Sequence, residues 1–261
     1  MSSQVVPETS VLAIASHVVY GYVGNTMATF VMQSLGCEVS AINTVHFSNH
    51  TAYKQVKGRK TPADEILELY EGLRQSHLNE FDVLLSGYIS SAEAVRTVGK
   101  IGRELKLNKA TKPGSFFWVL DPVMGDQGRI YIPEDCVPAY KSLVRDADLI
   151  LPNQFEAELL SNTKINTLTD IATAIDRLHK LYQVPHIIIT SIRLPSASET
   201  PSATQPSHPD PETLTIIGST STTSHTPRLF RIDVPALPAF FSGTGDMFAA
   251  LTVARLREAV F

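Results

Sequence analysis

VLAIASHVVYGYVGNTMATFVMQSLGCEVSAI, residues 11–42, contains the plan of the whole chain. Val11-Leu12-Ala13-Ile14-Ala15 is an unbroken apolar run of strand length. Gly24 to Leu35 reads as a helix, closed by Gly36 in the place of a C-cap. Val39-Ser40-Ala41-Ile42 reads as a second strand. Continuously apolar strands separated by helices belong to a parallel sheet covered on both faces.

The same alternation runs on through the chain. Pro62 to Leu73 places Ile66, Leu67, Leu69, Tyr70 and Leu73 at helical spacing. Val83–Leu85 is a strand and Ala92–Leu107 a helix. Phe116–Leu120 is a strand, Val137–Val144 a helix and Leu149–Leu151 a strand. Thr169–Tyr182 is a helix and Ile187–Ile189 a strand. Leu214–Ile217 and Leu229–Ile232 read as an antiparallel hairpin with a Ser/Thr-rich loop. Residues 243–257 form the last helix. Only 194–228 departs from the pattern: Pro195, Pro201, Pro206, Pro209 and Pro211 among Ser, Thr and Ala mark a flexible surface insertion leading into the hairpin loop. The fold class is therefore α/β, one domain over residues 1–261, and its ligands belong at the C-terminal ends of the strands.

Bulk properties exclude several classes. The 261 residues are 43% hydrophobic and 18% charged, with net charge −4. That composition supports a sizeable core and offers no basic face for nucleic acid. Cys37 and Cys136 form no CxxC, so neither a disulfide framework nor a zinc site is expected. No secretory signal and no apolar run of membrane-spanning length is present, which points to the cytosol. There is no GxGxxG, Walker A, H-E-x-x-H or G-x-S-x-G motif, which disfavours Rossmann, P-loop, zincin and serine-hydrolase chemistry.

Three post-strand motifs could carry chemistry, and each has a structural alternative. Phe241-Ser242-Gly243-Thr244-Gly245-Asp246 opens the last helix. Its glycines allow close approach, its free N–H groups can bind an anion, and Asp246 could take a proton from an attacking hydroxyl. It could equally be a glycine turn capped by Thr244 or Asp246. Asp121-Pro122-Val123-Met124-Gly125-Asp126 offers two carboxylates for Mg²⁺ or an alkali ion near phosphates, or an Asp-Pro turn with Gly125 at positive φ. Asn153-Gln154-Phe155-Glu156 has capping-box spacing, compatible with Glu156 also holding metal-bound water. Ser16-His17 and Ser48-Asn49-His50-Thr51 follow strands in the same manner.

Together with these motifs, SHVVYGYVGN (16–25), FSNHTAY (47–53), ELYEGLR (68–74), SGY (86–88), DPVMGD (121–126), YIPED (131–135), LPNQFEAELLS (151–161), IITS (188–191) and SGTGDMFAA (242–250) resemble the pyridoxal kinase family in order and over nearly the whole chain. The resemblance implies a ribokinase-like fold and transfer of the ATP γ-phosphate to the 5′-hydroxymethyl of pyridoxal, pyridoxine or pyridoxamine. It implies Asp246 as base and Gly243, Thr244 and Gly245 as anion hole. It places Ser16, Val45, Phe47, Thr51, Tyr88 and Tyr131 around the vitamin. It places Asp126, Asn153, Glu156, Thr190, Ser191, Leu237, Ala239 and Thr244 about ATP, with Asp126 and Glu156 toward Mg²⁺ or another divalent ion and K⁺ or Na⁺ beside it. A cytoplasmic or nuclear homodimer is implied as well. The loop Leu237-Pro238-Ala239 and the short stretch from Asp126 to Tyr131 depart from the family pattern. The chain also stops one helix after GTGD, where relatives continue, so a truncated form with lowered stability and activity is expected. Two other functions compete: a sister hydroxymethylpyrimidine kinase, and a non-catalytic kinase-like protein.

Overall fold

A computed structural model describes residues 8–194, 213–221, 227–239 and 241–260. The Pro-rich residues 195–212 and the loop 222–226 lie outside them.

In chain order the elements are β1 (Thr9–Val18), α1 (Asn25–Ser34), β2 (Cys37–Phe47), β3 (Gly58–Lys60), α2 (Ala63–Gln75), β4 (Val83–Ser86), α3 (Ala92–Asn108), β5 (Phe117–Leu120), β6 (Gly125–Asp126) and β7 (Arg129–Ile130). They continue with α4 (Cys136–Leu143), a 3-10 turn (Val144–Asp146), β8 (Leu149–Ile150), α5 (Gln154–Ser161), α6 (Leu168–Tyr182), β9 (His186–Ile192), β10 (Thr213–Thr220), β11 (Arg228–Pro235) and α7 (Thr244–Val260). One nine-stranded sheet has the order β11-β10-β9-β8-β5-β4-β1-β2-β3. Strands β2, β1, β4, β5, β8 and β9 are parallel, while β3, β10 and β11 join antiparallel at the two edges. Strands β6 and β7 form a separate small hairpin. No helix among the described residues is long and apolar enough to cross a membrane.

Period-two alternation on the buried strands divides the core between the two faces. Leu12, Ile14, Leu84, Trp118, Leu120 and Ile150 belong to one cluster, with Ile66 and Tyr70 of α2, Val95, Val98 and Ile101 of α3, and Ile171, Ile175 and Leu178 of α6. Val11, Ala13, Val83, Leu85, Val119 and Leu149 belong to the other, with Ala28, Val31 and Met32 of α1 and Ala249, Ala250 and Val253 of α7. The sheet is thus covered on both faces, as its apolar strands require. Trp118 is the largest fully buried side chain. Its Nε1–H donates to the Ser86 hydroxyl at 2.8 Å, and its ring fills the space where Gly102 of α3 has no Cβ. Truncating it to Ala should cost about 3–5 kcal/mol.

Several boundaries differ from expectation. β2 runs on to Phe47 because Asn43 and His46 still pair with β1, and Val45, His46 and Phe47 with β3. β3, three exposed residues, has no apolar signal at all. Gly125 is not at positive φ. It lies in β6, where a Cβ would strike the Arg129 carbonyl and the Phe155 ring. Positive φ falls instead on Gln127 and Gly128, the turn between β6 and β7. Cys37 and Cys136 are free thiols.

Candidate active site

Because the inner strands are parallel, their C-terminal ends share one rim. Ser16 follows the core of β1, Val45 and Phe47 close β2, Tyr88 follows β4, Asp121 follows β5, Asn153 follows β8, and Thr190 and Ser191 lie near the end of β9. The N-terminus of α7 reaches the same rim, since Gly245 lies about a carbon's contact from Asp121: a Cβ there would be 3.9 Å from Asp121 Oδ2.

The α7 turn is held by backbone approach. Gly243 has φ 79°, and a Cβ on it would collide with the Tyr22 carbonyl oxygen, so both its conformation and its surroundings demand glycine. The Met247 N–H donates to the Gly243 carbonyl at 2.9 Å, starting the helix. This leaves the N–H groups of the first turn toward the rim, a ready anion site. Asp246 is part-buried, and burial raises its carboxyl while the N–H of Gly24 opposes the rise. Gly24, at φ 54°, packs against the Ser16 carbonyl and hydroxyl so closely that a Cβ is excluded.

The second support is Glu156. Asn153 and Glu156 form the capping box that their spacing predicts: Asn153 Oδ1 accepts from the Glu156 N–H and Glu156 Oε2 accepts from the Asn153 N–H, both at 2.9 Å. The other carboxylate oxygen accepts from the N–H groups of Met124 at 2.9 Å and Gly125 at 3.4 Å. Asn153 Nδ2 donates to the Gly125 carbonyl at 2.8 Å. Glu156 is therefore the clamp between α5 and the DPVMGD loop, and it is almost fully buried. Burial pushes its carboxyl up to about 8 against these hydrogen bonds. Asp121 is pushed well above the usual carboxylate range by burial and by the Glu156 and Asp246 carboxylates. Burial raises the Tyr131 hydroxyl, as do the Glu156, Asp126, Asp121 and Asp246 carboxylates; the residue is exposed, and its N–H donates to the Met124 carbonyl at 3.1 Å.

The remaining expected residues divide. Val45 is buried and Ser16, Phe47, Tyr88, Thr190 and Ser191 are part-buried along the rim. The Thr44 hydroxyl donates to the Tyr88 carbonyl at 2.6 Å, joining β2 to the turn after β4. Thr51 is exposed in the loop after β2, Asp126 is exposed in β6, and Leu237 and Ala239 are exposed beyond β11. Asp126 accepts from the Gln127 N–H at 2.8 Å. Among the described residues no three His, Cys, Asp or Glu side chains converge as a metal cage. The acidic rim nevertheless suits Mg²⁺, which binds through one or two carboxylates together with substrate phosphates and water. Sequence reasoning named Asp121 as one of the two DPVMGD carboxylates but left out Gly24, which packs on Ser16 at the rim. The signal for Gly24 was present, since a glycine just before a helix start frees the backbone to approach a partner.

A family model described as phosphomethylpyrimidine kinase matches residues 31–259. The human pyridoxal kinase is 41% identical over 256 residues, covering 95% of this chain and 77% of the relative. The pyridoxal kinase of Dictyostelium discoideum is 37% identical over 250 residues, 94% of this chain and 77% of the relative. The structure of Leishmania donovani pyridoxal kinase in complex with ADP and pyridoxamine superposes with TM-score 0.84 at 34% identity, covering 95% of this chain and 79% of that one. On this agreement of sequence, rim geometry and fold, the chain belongs to the pyridoxal kinase family and has its ribokinase-like architecture.

Proposed function

We propose that this chain phosphorylates the 5′-hydroxymethyl group of pyridoxal, pyridoxine or pyridoxamine with ATP. The observation that carries the reading is the part-buried Asp246 carboxylate at the first turn of α7, behind the Gly243–Gly245 approach and beside Ser16 through Gly24. Asp246 takes the proton of the vitamin's hydroxyl as that oxygen bonds to the γ-phosphorus and the bond to ADP breaks. The N–H groups of the α7 turn neutralise charge on the transferring phosphoryl. Ser16, Val45, Phe47, Thr51, Tyr88 and Tyr131 surround the vitamin, while Asn153, Thr190, Ser191, Leu237 and Ala239 lie on the nucleotide side. Asp126, an exposed carboxylate, would help to hold Mg²⁺, which would supply neutralisation of phosphate charge. Glu156, whose oxygens already accept three N–H bonds, would act on such an ion only through water. An alkali ion beside the phosphates and a cytosolic homodimer complete the reading.

The test is ATP consumption by the purified chain with pyridoxal, pyridoxine, pyridoxamine and hydroxymethylpyrimidine, with and without Mg²⁺. Turnover of the B6 vitamers that requires Mg²⁺ is expected. Preference for the pyrimidine would give the reaction to the substrate class that the family model's description names. Sedimentation at micromolar concentration tests the dimer.

A further inference from the structure

Asparagine commonly caps a helix from the N-cap position. In α1 that position is Gly24, no side chain caps the helix, and Asn25 is turned inward with 3% of its surface exposed. Its Nδ2 donates to the Ala15 carbonyl at 3.2 Å, the Ile42 carbonyl at 3.0 Å and Asn43 Oδ1 at 2.8 Å. The two backbone carbonyls can only accept, so the carboxamide has one workable orientation. In that orientation its own Oδ1 is buried without a partner, an arrangement that native folds keep for a reason.

These acceptors lie where the β1–β2 ladder slips. Ala15 pairs with Asn43, but His17 pairs with His46, so Thr44 and Val45 together stand opposite Ser16. A bulge of this kind re-aims side chains and takes backbone groups out of the ladder. The residues at the slip are those assigned to the vitamin: Ser16 and Val45, with Phe47 next on β2 and Tyr88 attached through Thr44. On the other side of Asn25, Gly24 packs directly on Ser16, and the Tyr22 carbonyl two residues before it packs on Gly243 at the start of α7. One short segment thus touches the turn that carries the base, a vitamin contact and the slip in the sheet.

We propose that Asn25 is a positioning residue for phosphoryl transfer: by pinning the first turn of α1 to the β1–β2 slip, it holds Gly24 against Ser16 and the Tyr22 carbonyl against the Gly243 turn that carries Asp246. The inference rests on Asp246 as base and Ser16 as a vitamin contact. Asn25 acts only through its neighbours.

The experiment compares Asn25→Ala and Asn25→Ser with the wild-type chain, reading kcat and KM for pyridoxal and ATP across pH, together with the melting temperature. Loss of the pin lets the turn from Tyr22 to Gly24 drift, and with it Ser16 and the α7 turn that carries Asp246. A kcat loss of about ten- to a hundred-fold is expected, the scale of a small misplacement, with KM for ATP changed less than about three-fold, as when an interaction of the transition state is lost. The serine keeps one donor and should lie between alanine and wild type, and it carries the test if the alanine variant does not fold. A folded variant with kcat within about three-fold of wild type, or with KM for ATP rising as far as kcat falls, overturns the proposal and leaves Asn25 a purely structural residue. Asp246→Asn separates the two readings. If it keeps turnover, the base assignment fails by itself. If it is inactive while the Asn25 variants keep wild-type kcat, only the positioning role fails.

Discussion

Strand β4 at the centre of the sheet is buried at every residue, whereas β11 at the edge is exposed at nearly every one. The two regions meet the same steric problem with different consequences. Gly102 on α3 and Gly218 on β10 each sit so close to an aromatic ring, Trp118 and Phe230, that a Cβ would overlap it. Trp118 is wholly enclosed and hydrogen-bonded to Ser86, while Phe230 is half exposed. The first ring cannot move aside and the second can swing into water. The difference separates a rigid centre, from which the rim takes its geometry, from an antiparallel wing that tolerates change.

Predictions can break or sharpen that contrast. The largest effect belongs to the rim: Asp246→Asn should lower kcat about 10²–10⁴-fold, the usual range for a general base, while pyridoxal binding remains measurable by equilibrium titration. More than about a tenth of wild-type turnover would remove the base from the mechanism. Next, Gly102→Ala should cost about 1–3 kcal/mol by overpacking, read from denaturant midpoints at constant slope. An unchanged midpoint would show the centre to be softer than its packing implies.

A smaller effect concerns pH. The folded chain keeps a proton on Glu156 up to about pH 8, while its ordinary value is 4.5. Stability is therefore fullest below pH 4.5 and falls as pH rises through 8. Glu156→Gln removes that titration but must turn its NH₂ toward one set of backbone donors. The variant should start less stable at acid pH and lose less on the way up. A pH slope equal to wild type would mean that Glu156 is ionised throughout. The smallest effects fall on the wing. Gly218→Ala should cost less than about 1 kcal/mol if Phe230 swings clear, and Phe230→Ala should stay within about 0.5 kcal/mol. Costs as large as that of Gly102→Ala would erase the contrast between the two regions.

The sheet was legible because its central strands are apolar without interruption, a signal that only burial on both faces produces. The Asn153–Glu156 box was legible because it is local: two residues three apart settle it. β3 and the β6–β7 hairpin were not, since they bury too little to leave an apolar pattern. The second function of Glu156, its hold on Met124 and Gly125, was hidden for a different reason. It joins residues that are remote in sequence, and spacing is silent about what a fold brings together. Gly125 was rightly singled out but for the wrong cause, because a glycine required by crowding and one required by positive φ look alike in a sequence.

The contact between Tyr22 and Gly243 has a consequence in time. A ribosome releases Tyr22 long before Gly243. By then the strands and helices on one face of the sheet can already have assembled, along with most of the vitamin side of the rim. The other face is still waiting for α7 to lie beside α1. A nascent chain can therefore shape a pocket before it owns a base, and catalytic competence arrives as a single late docking event. In a refolding experiment, recovery of turnover should lag recovery of tryptophan burial, because Trp118 lies in the half that needs no help from the last helix.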